Sequence, residues 1–328
     1  MTEKRKIGDF LKGVRHAAVA GHVNPDGDCI GSCMGLYLYL CDNYPDIRVD
    51  VYLEEVRDVF GFIGGLSHIK GSLDPDASCD LLILLDISSR DRIGVAGPLL
   101  KKAGKTLCID HHVTNKGGFT WFFNEPQASS ASEMVWGFLE KDKISPDCAA
   151  ALYTGIVHDT GVFQYSSTSP ETMRIAAQLM EKGIPFSKII DETYFQKSYG
   201  QNRAAGCVLA NSRLFYGGKL IMGCLTAAEM ERFGVRPIDM DGIAAMLRNT
   251  IGADAAAFLY ERAPGEIKVS LRSKEIADVS RIAQSFGGGG HVRASGCTIE
   301  GTLEEAAAQI REGFASCFEK NNNPCDPE

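Results

Sequence analysis

Four short apolar runs dominate the first third of the chain: AAVAGHV (17–23), IRVDVYL (47–53), DLLILLD (80–86) and KTLCI (105–109). Runs with little polar alternation are buried on both faces, so they read as strands of a parallel sheet joined by helices. Helical patterns at 27–42, 92–103, 130–143, 146–158 and 170–182 supply the crossovers. The expected architecture is α/β, with a doubly wound, mainly parallel sheet in the N-terminal domain. In such sheets ligands gather beyond the carboxyl ends of the strands, which directs attention to the polar residues closing each run.

The second half changes character. A mixed, partly helical connection gives way to strands near 219–225, 254–261 and 266–272, helices near 226–233, 240–248, 276–285 and 304–318, and a glycine run at 287–290. These elements predict a smaller α+β domain. The domains are drawn as 1–190 and 211–328, with 191–210 as the linker, and the tail NNNPCDPE is expected to fray.

Composition narrows the function. The 328 residues are 45% hydrophobic, enough for two cores, and no apolar run approaches the ~18 residues of a membrane span. The N-terminal stretch is broken by Asp9, Lys12, Arg15 and His16, which speaks against a secretory leader and for the cytoplasm. The 11 cysteines form no C-x-x-C pair, so neither a disulfide framework nor a thiolate zinc site is expected; Cys29, Cys33 and Cys41 share one helix as reduced residues. A net charge of -8 opposes a broad groove for long nucleic acid and leaves short, compact substrates open.

Four polar clusters lie where the sheet would expose its working edge: His22, Asp26 and Asp28 in GHVNPDGDCIGS; Asp86 after LLILL; Asp110, His111 and His112 after KTLCI; and Asp159 in GIVHDTG. Singly, each has a plain structural role. Asp28 could cap a helix, Asp26-Gly27 could be a turn, Asp86 could cap the turn after its strand, a lone histidine could be hydrogen-bonded structure, and Asp159 could end a helix. Helix stops and turns do not require carboxylates and imidazoles to recur at successive strand ends, so together they point to a shared site. Such a donor set suits hard or borderline divalent cations. Several converging carboxylates repel one another unless neutralised, so two cations fit better than one.

H-x-N-P-D-G-D-x-x-G-S (22–32), the strand-ending Asp86, D-H-H (110–112) and H-D-T-G (158–161) resemble, in order, the four motifs of the DHH phosphoesterase superfamily. The C-terminal RSK (272–274) and GGGGHVRASG (287–296) resemble its associated C-terminal domain. The resemblance runs from about 17 to 300 and is most similar to the branch of bacterial oligoribonucleases and pAp phosphatases. It implies that His22 and Asp26 hold a first metal, that Asp28, His111 and Asp159 hold a second, and that Asp86 bridges them. It further implies two Mn2+, with Mg2+ or Co2+ as alternatives. Asp110 is expected to orient a ligand histidine, and His112 to face the substrate phosphate, making His112, Asp86 and Asp110 the catalytic set.

Substrate choice is assigned to the second domain, where residues 248–293 hold seven basic side chains against five acidic ones. Arg262 and Arg281 read as solvated surface charges. Arg272, Ser273, the amides of Gly288, Gly289 and Gly290, and His291 are the expected phosphate contacts, with Asn24 added at the metal end. Ser295 stands where many relatives would carry alanine and is expected to tune packing. Ser130 and Glu133 fit a capping box, and Phe163 and Tyr165 suit either base stacking or packing. The expected activity is hydrolysis of very short RNA to mononucleotides and of pAp to AMP, with no long duplex or membrane partner and with homodimers common in the family. Hydrolysis of pApA or cyclic di-AMP and a nucleotide sensor without turnover are the competing assignments.

Overall fold

The computed structural model describes residues 5–318, so the C-terminal tail expected to fray lies outside the described residues. The chain divides into two compact units, Met1–Gln196 and Lys197–Glu328. In the first, the elements run β1 (His16–Ala20), α1 (Gly27–Asn43), β2 (Arg48–Tyr52), β3 (Ile69–Lys70), β4 (Cys79–Leu85), β5 (Ala103–Asp110), β6 (Trp121–Asn124), α2 (Ala131–Phe138), α3 (Pro146–Asp159), α4 (Pro170–Met180) and α5 (Phe186–Ile190). Strand order is β3-β2-β1-β4-β5-β6, and every neighbouring pair is parallel. The order reverses between β1 and β4, which is where a doubly wound sheet opens its ligand crevice.

The lack of polar alternation in β4 has the expected cause. Leu81, Ile83 and Leu85 enter the core beneath α1 and α3, while Leu82 and Leu84 enter a second core on the opposite face. That second face departs from expectation. The helix expected at 92–103 is replaced by 3-10 turns at Arg90–Arg92 and Gly97–Lys101, with β5 beginning at Ala103. Gly94, Gly97 and Pro98 explain the change, since glycine costs helix stability and proline breaks the hydrogen-bond ladder. The helix expected at 130–143 also stops early, at Phe138.

Helices α1 and α3 cross at bare backbone. A Cβ on Gly31 would lie 2.5 Å from Ala151 O and 2.7 Å from Gly155 N, so only hydrogen side chains permit the approach. The crossing carries Asp28, at the start of α1, toward Asp159, at the end of α3.

The second unit contains α6 (Tyr199–Ala210), β7 (Arg213–Phe215), β8 (Leu220–Leu225), α7 (Ala227–Phe233), α8 (Ile243–Arg248), β9 (Ala255–Ala263), β10 (Glu266–Ser273), α9 (Val279–Ser285), β11 (Gly289–His291), β12 (Ala294–Glu300) and α10 (Leu303–Phe318). Its mixed sheet has the order β11-β12-β10-β9-β8-β7, with β8–β9 parallel and the remaining pairs antiparallel. Alternate residues of β9 feed two cores: Ala255, Ala257 and Leu259 on the α9–α10 side, Ala256, Phe258 and Tyr260 on the other. Of the segment read as a linker, Asp191–Phe195 forms a π-helical turn of the first unit, while α6 buries Ala204, Ala205 and Val208 in the second. Among the described residues no helix is long and apolar enough to cross a membrane.

Candidate metal centre

The carboxyl ends of β1, β4 and β5, with the facing ends of α1 and α3, bring six side chains together. His22 follows β1 and is buried, and its Nδ1 donates to Val23 O at 2.8 Å. His111 follows β5, is also buried, and directs Nδ1 at Ala128 O, 3.3 Å away. With each Nδ1 proton turned to a backbone carbonyl, both rings present Nε2 as the lone-pair nitrogen.

Asp86 occupies the junction. His22 Nε2 lies 3.4 Å from its Oδ2, and His111 Nε2 lies 3.4 Å from its Oδ1. Each carboxylate oxygen therefore faces a different imidazole, as a bridging ligand requires. Asp86 adopts φ 57°, a left-handed conformation that costs roughly 1–3 kcal/mol for a non-glycine residue and persists where the surrounding structure over-determines it. Its Oδ1 is buried and accepts no hydrogen bond of good geometry among the described residues. Unsatisfied buried carboxylate oxygens are expensive, and a cation would meet the need.

On one side of Asp86, His111 Nε2 is also 3.9 Å from Asp28 Oδ2 and 3.5 Å from Asp159 Oδ2. On the other, Asp26 Oδ1 is 3.7 Å from His22 Nε2. Donors bound at ~2.1 Å to one small cation stand about 3 to 3.5 Å apart, so the spacings need little contraction. The donor chemistry and the geometry both fit divalent cations.

Local structure sets each carboxylate. Asp26, rather than Asp28, is the N-cap of α1: its Oδ1 accepts from the amides of Asp28 at 3.0 Å and Cys29 at 3.1 Å. Asp28 turns away to the start of α2, accepting from Ala131 N at 2.6 Å and Ser132 N at 3.0 Å. Ser130 caps that helix by accepting from Glu133 N, as expected, but Glu133 Oε2 accepts from Ser129 and Thr172. The α2 amides thus fix a carboxylate that the chain supplies itself.

The charges bear the mark of crowding. Burial pushes the Asp28 carboxyl well above its usual range, and the Asp86 and Asp159 charges add to the effect. Burial likewise raises Asp159, to about 7, against the opposing pull of His111. Burial alone would lower His22 and His111, but the neighbouring acids, and Cys29 beside His22, raise both well above the ordinary imidazole value. Asp86 is held well below the usual carboxylate range because His111 and His22 overcome its burial. Without cations, the cluster retains protons that cations would replace.

Asp110 corrects one expectation. Its fully buried carboxylate pairs with His112 rather than with His111: Oδ1 is 2.8 Å from His112 Nδ1. Its Oδ2 accepts from Asn115 Nδ2 at 2.7 Å. Burial would lower His112, but Asp110 and Asp86 raise it above the ordinary value. Asn124 Nδ2 donates to His112 O at 2.8 Å, so backbone and ring are both pinned. No motif signal singles out Asn115 or Asn124, although Asn115 stands in the same CIDHHVTN stretch as the histidines.

Three further residues near the motifs adopt positive φ: Asn24 at 53°, Val162 at 58° and Phe163 at 64°. Asn24 is exposed, and its amide donates to Glu54. Phe163 packs toward Tyr153 with ring centroids 6.2 Å apart, which favours packing over base stacking.

In the second unit, Arg272 lies on the half-buried outer face of β10 and donates to Leu271 O. Ser273 is buried, and its hydroxyl donates to Ala277 O at 2.7 Å. The glycine run is not the open anion loop that was expected. Gly287 N donates to Gln284 O and Gly288 N to Ala283 O, while Gly289, Gly290 and His291 form strand β11 against β12. Gly288 serves close approach, since a Cβ there would lie 2.2 Å from Gly296 O. Ser295 tunes packing through a hydroxyl that donates to Val279 O at 2.6 Å.

The profile described as "DHH family, N-terminal domain" matches residues 16–156, and the "DHHA1 domain" profile matches 218–320. The chain is 32% identical over 316 residues to the bifunctional oligoribonuclease and PAP phosphatase NrnA of Thermus thermophilus, covering 94% of this chain and 92% of that protein. It belongs to the DHH family. The protein of the same name from Bacillus subtilis is 28% identical over 285 residues, covering 85% of this chain and 87% of its own. A crystal structure of an exopolyphosphatase-related protein from Bacteroides fragilis superposes with a TM-score of 0.85 at 29% identity, covering 95% of this chain and 96% of that one. The family consists of metal-dependent phosphoesterases, which makes this DHH chain a hydrolase of phosphate esters.

Proposed function

We propose that the chain is a two-metal, Mn2+-dependent phosphoesterase that degrades very short oligoribonucleotides to mononucleotides and converts pAp to AMP and phosphate. One observation carries the reading: the two oxygens of Asp86 face the Nε2 atoms of two different histidines whose Nδ1 atoms are already committed to backbone carbonyls. The full-length likeness to oligoribonuclease and PAP phosphatases supports the substrate class. His22 and Asp26 would hold one cation, Asp28, His111 and Asp159 the other, and Asp86 both. When bound, such a pair supplies an activated water and neutralises the charge of the phosphate.

The chain's own residues orient the reaction. Asp110 fixes the Nδ1 proton of His112, so Nε2 is the nitrogen presented to a phosphoryl oxygen or to the departing oxygen. Asn115 restrains Asp110, which restrains His112 in turn. Residues 1–190 are assigned catalysis and 211–328 substrate binding, through Arg272, Ser273, Gly289, Gly290 and His291, with Asn24 added from the first domain. The assigned compartment is the cytoplasm, where neighbouring reduced thiols such as Cys29 and Cys33 persist.

The test compares kcat/KM under Mn2+ for pAp, pApA, short RNAs, cyclic di-AMP, pyrophosphate and long single-stranded DNA, with Asp86→Ala as the inactive control. The expected profile is highest on pAp and the shortest RNAs. A flat profile across length refutes the substrate class, and tight pAp binding without phosphate release favours a sensor.

A further inference from the structure

In the second unit, a residue outside both C-terminal motifs gathers the loop that follows β10. Residues 274–276 are exposed, yet successive amides there bind Asp254, which is buried immediately before β9. Lys274 N donates to Asp254 O at 2.8 Å. Glu275 N and Ile276 N donate to its Oδ1 at 2.9 and 3.0 Å, and Ala277 N donates to its Oδ2 at 3.0 Å. Consecutive amides around one carboxylate form a nest of the kind that binds anions, here filled by the chain itself. Both oxygens are used, which asparagine could not reproduce, because its amide would turn an N–H toward one of the donors.

The loop held in this way is joined to the two charged residues assigned to the substrate phosphate. Arg272 and His291 both pair with Ala294, from its two sides, so they stand in one row across the sheet. His291, however, ends β11, an edge strand of three residues that is too short to hold it firmly by pairing alone. The turn that follows, Val292 and Arg293, is tied to the loop instead. Arg293 Nη1 donates to Ala277 O at 2.9 Å, Ser273 N donates to Arg293 O at 3.0 Å, and Val279 N donates to Val292 O at 3.0 Å. Ser273 Oγ donates to Ala277 O at 2.7 Å and closes the loop beside Arg272. We propose that Asp254 is a positioning residue for substrate binding: through loop 274–277 and Arg293 it holds the edge strand that carries His291 in register with Arg272. The proposal rests on the assignment of Arg272 and His291 to the substrate phosphate and deepens it with a residue that touches no substrate. Ordering the two contacts before the phosphate arrives removes that cost from binding. The metal ligands and His112 are held by contacts of the first unit, so the effect falls on KM rather than on kcat.

The full Mn2+-loaded chain is assayed on pAp. Asp254→Asn should raise KM ~10-fold or more, with kcat and Mn2+ affinity within ~2-fold of wild type. Arg293→Gln should also raise KM, and the double variant should fall well short of the product of the two effects, because both residues act on Ala277. Arg272→Ala is the control on the underlying assignment and should raise KM at least as much as Asp254→Asn. If Arg272→Ala raises KM while Asp254→Asn leaves it within ~2-fold, the positioning role is overturned and the substrate assignment stands. Full additivity in the double variant likewise overturns the relay through Ala277. If none of the variants alters KM, the substrate assignment fails and takes the positioning role with it. Should Asp254→Asn not fold, Arg293→Gln decides alone: an unchanged KM overturns the relay, and a raised KM with faster hydrogen exchange at residues 275–277 and 289–291 supports it.

Discussion

Replacing Asn115 isolates the support of His112 from the metal ligands. Asn115 is buried; its Nδ2 donates to Asp110 Oδ2 at 2.7 Å, to Ile87 O at 2.6 Å and, more weakly, to Cys108 Sγ at 3.6 Å, and its Oδ1 accepts from Gly117 N at 2.9 Å. A bond to a charged carboxylate contributes about 1.5–3 kcal/mol and each neutral bond about 1 kcal/mol, so Asn115→Leu should destabilise the fold by roughly 3–5 kcal/mol. Asp110 would then hold His112 less firmly, with an expected fall in kcat of ~10- to 100-fold. Mn2+ affinity should change little, because His111 is oriented by Ala128 O and not by Asp110. Urea unfolding, steady-state kinetics on pAp and calorimetric Mn2+ titration together test the chain of contacts. Stability within ~0.5 kcal/mol of wild type with unchanged kcat would refute it. A fall in Mn2+ affinity matching the fall in activity would show that Asp110 acts on the metal ligands after all.

Gly155→Ala should weaken metal binding through geometry alone, since the new Cβ would lie 1.9 Å from Ser132 Oγ and 2.7 Å from Asp28 Oδ1; calorimetry should show reduced Mn2+ affinity in a chain whose circular dichroism is little altered. Affinity for Mn2+ should rise with pH through about 7, where metal-free Asp159 gives up its proton, and go on rising above it, because Asp28, His22 and His111 hold further protons that the cations must displace. The sign follows from competition: below that pH each binding event must expel at least one proton, giving a slope of ~1 or more in log affinity per pH unit, and a flat profile would contradict it. Ser295→Ala should cost the second unit about 1–2 kcal/mol in urea unfolding, because it leaves Val279 O without its buried donor.

The gathering of these acids and histidines was legible because doubly wound sheets place chemistry at strand ends, and the apolar runs are closed by an acid or a histidine. Asp86 is legible from LLILLD, and Asp159 from the close of an apolar helix. Partnerships were harder to read. Nothing local distinguishes His111 from His112 as the partner of Asp110, because the choice depends on how adjacent side chains diverge at the end of β5. The landing of Asp28 on the α2 amides spans 103 residues and depends on the Gly31–Gly155 crossing. Short edge strands such as β6 and β11 carry weak periodicity, so the glycine run read as a loop although β12 pairs with it.

A crystal of the full chain soaked in Mn2+, with anomalous scattering recorded at the manganese edge, would show whether these side chains cage two cations. Two peaks are expected roughly 3.5–4 Å apart, with Asp86 between them, His22 and Asp26 at one, and Asp28, His111 and Asp159 at the other. A single peak remote from Asp86, or no peak among these side chains at saturating Mn2+, would contradict the two-metal reading.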